Sequence, residues 1–122
     1  MTNSLYDTEN IFAKILRGEI PCKKLDECPH TLTFYDINPQ APIHVLIIPK
    51  GAYLDMDDFS KHALDVEKLA LLAAIGKAAE LTGASKNGYR LISNIGGFGH
   101  QEVPHLHVHV LGGEPIGPIR TR

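Results

Sequence analysis

A chain of 122 residues, 43% hydrophobic and 21% charged, has apolar surface for one core and too little length for two ordinary domains, so residues 1–122 are read as a single domain. A formal net charge of −2 offers no broad basic surface, which excludes nucleic acid as an expected partner. No apolar run approaches the ~20 residues of a membrane span, and Met1-Thr2-Asn3-Ser4 lacks the basic-then-apolar pattern of a secretory leader, so no membrane partner and a cytoplasmic location are expected. Cys22 and Cys28 are then read as reduced thiols.

Residues 11–17 gather Ile11, Phe12, Ile15 and Leu16 on one helical face ahead of Gly18, which predicts a short amphipathic helix. Residues 31–36 alternate Leu32 and Phe34 with Thr33 and Tyr35, the period of a half-buried strand, until Asn38-Pro39 breaks it. The run His44-Val45-Leu46-Ile47-Ile48 is apolar and branched, which predicts a more deeply buried strand closed by Pro49. From about residue 60 to 82, Leu64, Leu69, Leu72, Ile75 and Ala79 recur mostly three or four apart, with Gly83 behind them, predicting one long helix. Residues 89–93 and 105–111 alternate again, on either side of the glycine-rich stretch Asn94-Ile95-Gly96-Gly97-Phe98-Gly99-His100-Gln101. Segregated strands, one long and one short helix and no βαβ alternation predict an α+β domain with an antiparallel sheet.

The chemistry concentrates in His105-Leu106-His107-Val108-His109-Val110-Leu111. Alternate side chains of a strand share a face, so three imidazoles are expected on one side while Leu106, Val108 and Val110 enter the core. A surface strand that is merely rich in histidine does not explain why every intervening residue is apolar. A metal site is a second reading. His105 and His109 stand roughly 13 Å apart at ~3.3 Å per residue, too far for one ion with ~2.1 Å bonds. No Cys-x-x-Cys or His-Glu-x-x-His pattern supplies the missing ligand, so no metal and no cofactor are expected. A phosphate site is the third reading. Imidazole is a nucleophile at neutral pH and, as a cation, donates two hydrogen bonds to phosphate oxygens, while Gly96-Gly97-Phe98-Gly99 lets backbone N–H groups approach an anion.

The histidine strand resembles the defining motif of the histidine-triad (HIT) superfamily. Asn10-Ile11-Phe12-Ala13-Lys14-Ile15, Glu19-Ile20-Pro21, Phe34-Tyr35-Asp36-Ile37-Asn38-Pro39-Gln40-Ala41-Pro42-Ile43-His44, Ile48-Pro49-Lys50, Asn87-Gly88-Tyr89-Arg90 and Leu111-Gly112-Gly113 are similar to its Hint branch, the nucleoside phosphoramidases. The matching part covers about 10–113, leaving a C-terminal arm at 114–122. The resemblance implies a homodimer whose two sheets join edge to edge, and a metal-independent attack on the α-phosphorus of a purine nucleotide that releases AMP or GMP. It assigns His107 as the nucleophile that forms a nucleotidyl-imidazole. His109 becomes the donor to a nonbridging oxygen, with His105 and His44 as support. Asp36 is expected on the ribose hydroxyls, and Ile11, Phe12, Ile15, Phe34 and Ile37 form the apolar slot for the base. Asn94, Gly99 and Gln101 are expected on the phosphate side.

Two departures stand near the leaving group. Glu102 replaces the serine that Hint enzymes commonly carry three residues before the triad, and His100 stands where they usually have glycine. A carboxyl group that is partly buried beside a phosphate holds its proton more tightly, so Glu102 is expected as a general acid. The arm carries Pro115 and Pro118, which favour an extended course, and Arg120 and Arg122, which add positive charge. Two further readings remain: a dinucleoside polyphosphate hydrolase, and a nucleotide-binding regulatory protein with incidental turnover.

Overall fold

The computed structural model describes residues 5–120; Met1-Thr2-Asn3-Ser4 and Arg122, on which two of the readings above rest, lie outside the described residues. Asn10 starts α1 (Ile11–Leu16), its side-chain oxygen accepting the Ala13 amide at 2.9 Å, and Gly18 closes the turn beyond it at φ 80°. The chain continues through β1 (Lys24–Glu27), β2 (Thr31–Tyr35), β3 (Ile43–Pro49), α2 (Met56–His62), α3 (Asp65–Thr82), a 3₁₀ turn at Ala84–Lys86, β4 (Arg90–Ile92) and β5 (Val108–Gly112). The five strands pair antiparallel in the order β1-β2-β3-β5-β4. This is the α+β class that the sequence pattern predicts.

β3 is the central strand, and both of its faces are covered. Val45 and Ile47 pack with Leu71, Ala74 and Ala78 of α3 and with Leu106 and Val110. On the other face Leu46 and Ile48 pack with Phe12 of α1 and with Leu32 and Phe34 of β2. β2 is therefore not half-buried as its alternation suggests. Thr31 and Thr33 are as buried as Leu32 and Phe34, and the period of two separates two packed environments instead of core from water.

Three elements differ from expectation. β1 went unanticipated because Lys24-Leu25-Asp26-Glu27 offers one apolar residue; it is an edge strand with an irregular register between Lys24 and Asp26. The long helix is two helices. Ala63 and Leu64 are extended, at ψ 152° and 154°, and the Glu67 carboxylate accepts the Leu64 amide at 2.9 Å, so a residue that reads as helix interior caps a new start. Finally, α3 sits on the sheet through Leu71, Ala74 and Ala78, while Leu69 and Leu72, which carry the apolar period, are both 68% exposed. Alanines let the helix approach the strands closely and leave the leucines facing outward.

The histidine segment keeps its alternation with less regular pairing than expected. β5 begins only at Val108, opposite Ile47; before it the Leu106 amide donates to the Tyr53 carbonyl and the Pro49 carbonyl accepts from the His105 ring. Leu106 still enters the α3 core, while His105 and His107 turn to Phe12.

Candidate active site

Backbone groups fix the protonation of the imidazoles, because a carbonyl only accepts and an amide only donates. His107 donates from Nδ1–H to the His105 carbonyl at 2.8 Å, which leaves its lone pair on Nε2. Burial pushes its proton affinity below that of an ordinary histidine, with the His105 carbonyl, Asp36 and Glu102 opposing. Phe12 meets the ring edge-on at 4.9 Å between centroids and holds it in place. The neutral nitrogen that a nucleophile needs is thus set by one hydrogen bond and one aromatic contact.

His105 supports His107 from behind. It is wholly buried, donates from Nε2–H to the Pro49 carbonyl at 2.9 Å and accepts the Tyr6 hydroxyl on Nδ1 at 2.5 Å. Both nitrogens are occupied, and burial takes the group down to about 4. It acts on His107 through its own carbonyl and does not line the cleft.

A second chain of bonds orders His109. The Gln40 amide donates to His44 Nδ1 at 3.0 Å, so His44 carries its proton on Nε2, 2.9 Å from His109 Nδ1 and 3.4 Å from Asp36 Oδ2. His109 therefore accepts on Nδ1 and keeps its N–H on Nε2. Burial, then the neighbouring His107 and His44, hold His109 down to about 4. His44 is likewise lowered by burial against the pull of Asp36. His44 thus acts on the site through His109. The ring centroids of His107 and His109 are 5.0 Å apart, so a lone pair and an N–H donor stand side by side.

These groups line a cleft of about 430 Å³ that also takes in Phe12, Asp36, Asn94 and Glu102. Seven of the expected residues therefore share one cavity. The rest are placed otherwise. Phe34 lies under Phe12 in the core at 5.7 Å, and Ile15 packs beside that cluster. Ile11 is partly exposed and Ile37, next to Asp36, is 91% exposed. The amide of Gln101, expected on the phosphate side, is bonded within its own loop: Nε2 donates to the Leu54 and Val103 carbonyls and Oε1 accepts the Gly96 amide. At Gly99 a Cβ would fall 2.3 Å from the Ile95 carbonyl oxygen, so this glycine answers a close approach within the loop. Glu102 reaches the cleft, but its side chain is 76% exposed and its carboxylate lies 3.1 Å from His100 Nε2. The burial that a general-acid carboxyl requires is absent there.

Sequence reasoning gave no role to Gln40 or His100. Gln40 lay inside a quoted motif, but its backbone, and not its side chain, does the work. His100 was visible only as a departure from glycine, and the structure gives that departure a physical meaning: φ is 61°, in the left-handed region.

Asp36, His44 and His109 also bring three potential ligand atoms within 4.8 Å of one another. The set does not suit a metal, because the His44 atom facing the others bears its proton. A cation would require an imidazolate or a flipped ring that abandons Gln40. Dialysis against a chelator is expected to leave turnover unchanged; activity lost and then restored by zinc would contradict this.

The family model of the HIT domain matches residues 17–116. A purine nucleoside phosphoramidase of Escherichia coli is 44% identical over 112 residues, 91% of this chain and 92% of that protein. An uncharacterized 13.2 kDa HIT-like protein of Azospirillum brasilense is 57% identical over 117 residues, 96% of each chain. Among solved structures, a histidine triad protein from Clostridium difficile superposes with a TM-score of 0.82 at 38% identity, covering 93% of this chain and 98% of its own. A HIT family hydrolase from Legionella pneumophila gives 0.79 at 44% identity, covering 88% and 95%. The chain belongs to the HIT family and is one of its hydrolases.

Proposed function

We propose that this enzyme is a purine nucleoside phosphoramidase that works through a nucleotidyl-histidine on His107. The observation that carries the reading is the unprotonated Nε2 of His107 beside the N–H of His109, at the wall of a cleft that also holds Asp36. His107 Nε2 attacks the α-phosphorus, and the P–N bond breaks toward the amine. His109 donates to a nonbridging oxygen as charge develops on it. Water then attacks the same phosphorus and releases AMP or GMP. Asp36 at one end of the cleft suits the ribose hydroxyls, and Phe12 with the exposed Ile11 and Ile37 suits a purine ring.

The name of the Escherichia coli relative favours a P–N bond over a dinucleoside polyphosphate. A fluorogenic adenosine phosphoramidate and diadenosine tetraphosphate, assayed side by side, test this. The phosphoramidate is expected to be hydrolysed far faster, and the reverse order would reassign the substrate. An inactive His107 variant that still restores a deletion phenotype would favour a regulatory role.

The same proposal includes a homodimer. β4 is a three-residue edge strand with Leu91 exposed, and α3 exposes Val66, Leu69 and Leu72. A free sheet edge and uncovered leucines both call for cover, and a second copy supplies an edge of matching chemistry. Sedimentation at micromolar concentration is expected to show a dimer; a fully active monomer would contradict it. No helix among the described residues is long and apolar enough to cross a membrane, which agrees with a proposed cytoplasmic location.

A further inference from the structure

The leaving-group side of the cleft holds two residues that the nucleophile and its neighbours leave unused. His100 and Glu102 both line the cavity that contains His107 and His109, and His100 Nε2 lies 3.1 Å from Glu102 Oε1. Both side chains are solvated, 84% and 76% exposed, so the pair is not a structural bridge and adds little to stability. His100 is also the only non-glycine residue with positive φ among the described residues, at 61°. A side chain there is strained where glycine is not, and such strain recurs where a side chain has a job. The loop holds this shape through the bonds of the His100 amide to Gly97 and of the Gln101 amide to Gly96, both 3.1 Å.

We infer that His100 is the proton donor to the departing amine, oriented by Glu102, which makes the two a catalytic dyad. This rests on the P–N cleavage proposed above. With Nε2–H held by the Glu102 carboxylate, the Nδ1–H of the imidazolium is free to point at the leaving nitrogen. His107 Nε2 forms a bond to phosphorus and the P–N bond breaks. Its electron pair stays on nitrogen, which takes the Nδ1 proton from His100 and leaves as the neutral amine. Neutral His100, open to solvent, takes its proton back from bulk water, and the water that attacks the nucleotidyl-imidazole gives up its own proton to solvent without it. The nucleoside monophosphate departs, His107 is restored, and the dyad returns to its starting charge. An imidazole suits this better than the expected carboxyl, because one ring nitrogen can hold the Glu102 carboxylate while the other donates to the leaving group. Glu102 then has the part that a carboxylate plays beside a catalytic histidine, fixing its orientation.

The test compares adenosine phosphoramidates of poorly departing alkylamines with an aryl ester of AMP whose phenolate leaves unprotonated. His100→Gly restores a residue that fits φ 61°, and His100→Asn keeps a side chain tolerated there, so both variants are expected to fold and to melt no lower than wild type. Each should slow kcat on the alkylamine substrates by the ~10²-fold typical of a general acid and change the aryl ester by less than about threefold. Glu102→Gln should slow the alkylamine substrates less, and the double variant should be no slower than His100→Gly alone, as expected of groups that act as a unit. Equal slowing of both substrate classes, or wild-type rates on both, would overturn the dyad. A wild-type enzyme that forms no covalent intermediate with the aryl ester would instead overturn the His107 reading, so the two failures are distinguishable.

Discussion

His107→Ala is expected to abolish turnover, with a loss on the scale of ~10⁵ to 10⁶ seen when a hydrolase loses its nucleophile. AMP binding is expected to change by no more than a fewfold. The contrast follows from how the ring is held. His107 contributes one atom, Nε2, to the reaction, while its Nδ1–H is bound to a backbone carbonyl and its face is covered by Phe12. Alanine removes the attacking atom and leaves Asp36, His44 and His109 in their own hydrogen-bond chain. Stopped assays and equilibrium titration of the same preparation give both numbers. An alanine variant with more than a hundredth of wild-type activity would mean that another group attacks phosphorus.

Stability is expected to fall in mild acid before most carboxylates titrate. His105 takes up a proton in the unfolded chain near 6.5 but, being buried, only at about 4 when folded. Between those values the unfolded state binds a proton that the native state refuses, so the free energy of unfolding decreases as pH falls. This contribution is complete above pH 6.5 and is lost progressively down to about 4. At ~1.4 kcal/mol per pH unit, about 2 kcal/mol of it disappears by pH 5. His109, also held down to about 4, adds in the same direction with a smaller share because it is less buried. Urea midpoints measured at pH 7, 6 and 5 test this, and His105→Gln should flatten the slope. A midpoint independent of pH across that window would show that the rings take up protons as readily in the native protein as in the unfolded chain.

The legible parts of the molecule were those in which side-chain chemistry has a short period. The alternation of His105 to Leu111 separated imidazoles from core residues correctly, even though regular pairing starts only at Val108. The apolar run of β3 announced the central strand. What stayed hidden depends on the course of the backbone, which residue types and spacing do not reveal. The apolar period runs through Leu64, yet Glu67 turns back onto its amide and splits the helix. The leucines of α3 carry the strongest period yet face outward, because seating a helix on a sheet depends on small residues as much as on large ones. In the site, residue types were readable but tautomers were not. Those are set by the Gln40 amide and the carbonyls of Pro49 and His105. The contact of Glu102 with His100 likewise depends on the left-handed turn of the loop at His100, which residue types do not reveal.

The central claim is that His107 Nε2 carries the nucleotidyl group, and one measurement addresses it directly. Enzyme mixed with a slight excess of an adenosine phosphoramidate and quenched within a single turnover is digested and its peptides weighed. The account predicts an adenylyl group on the peptide spanning residues 105–109, localised by fragmentation to His107, appearing and decaying at rates compatible with turnover. An adduct on His109, on His44 or on any other residue would contradict it, as would full turnover with no covalent intermediate at any time.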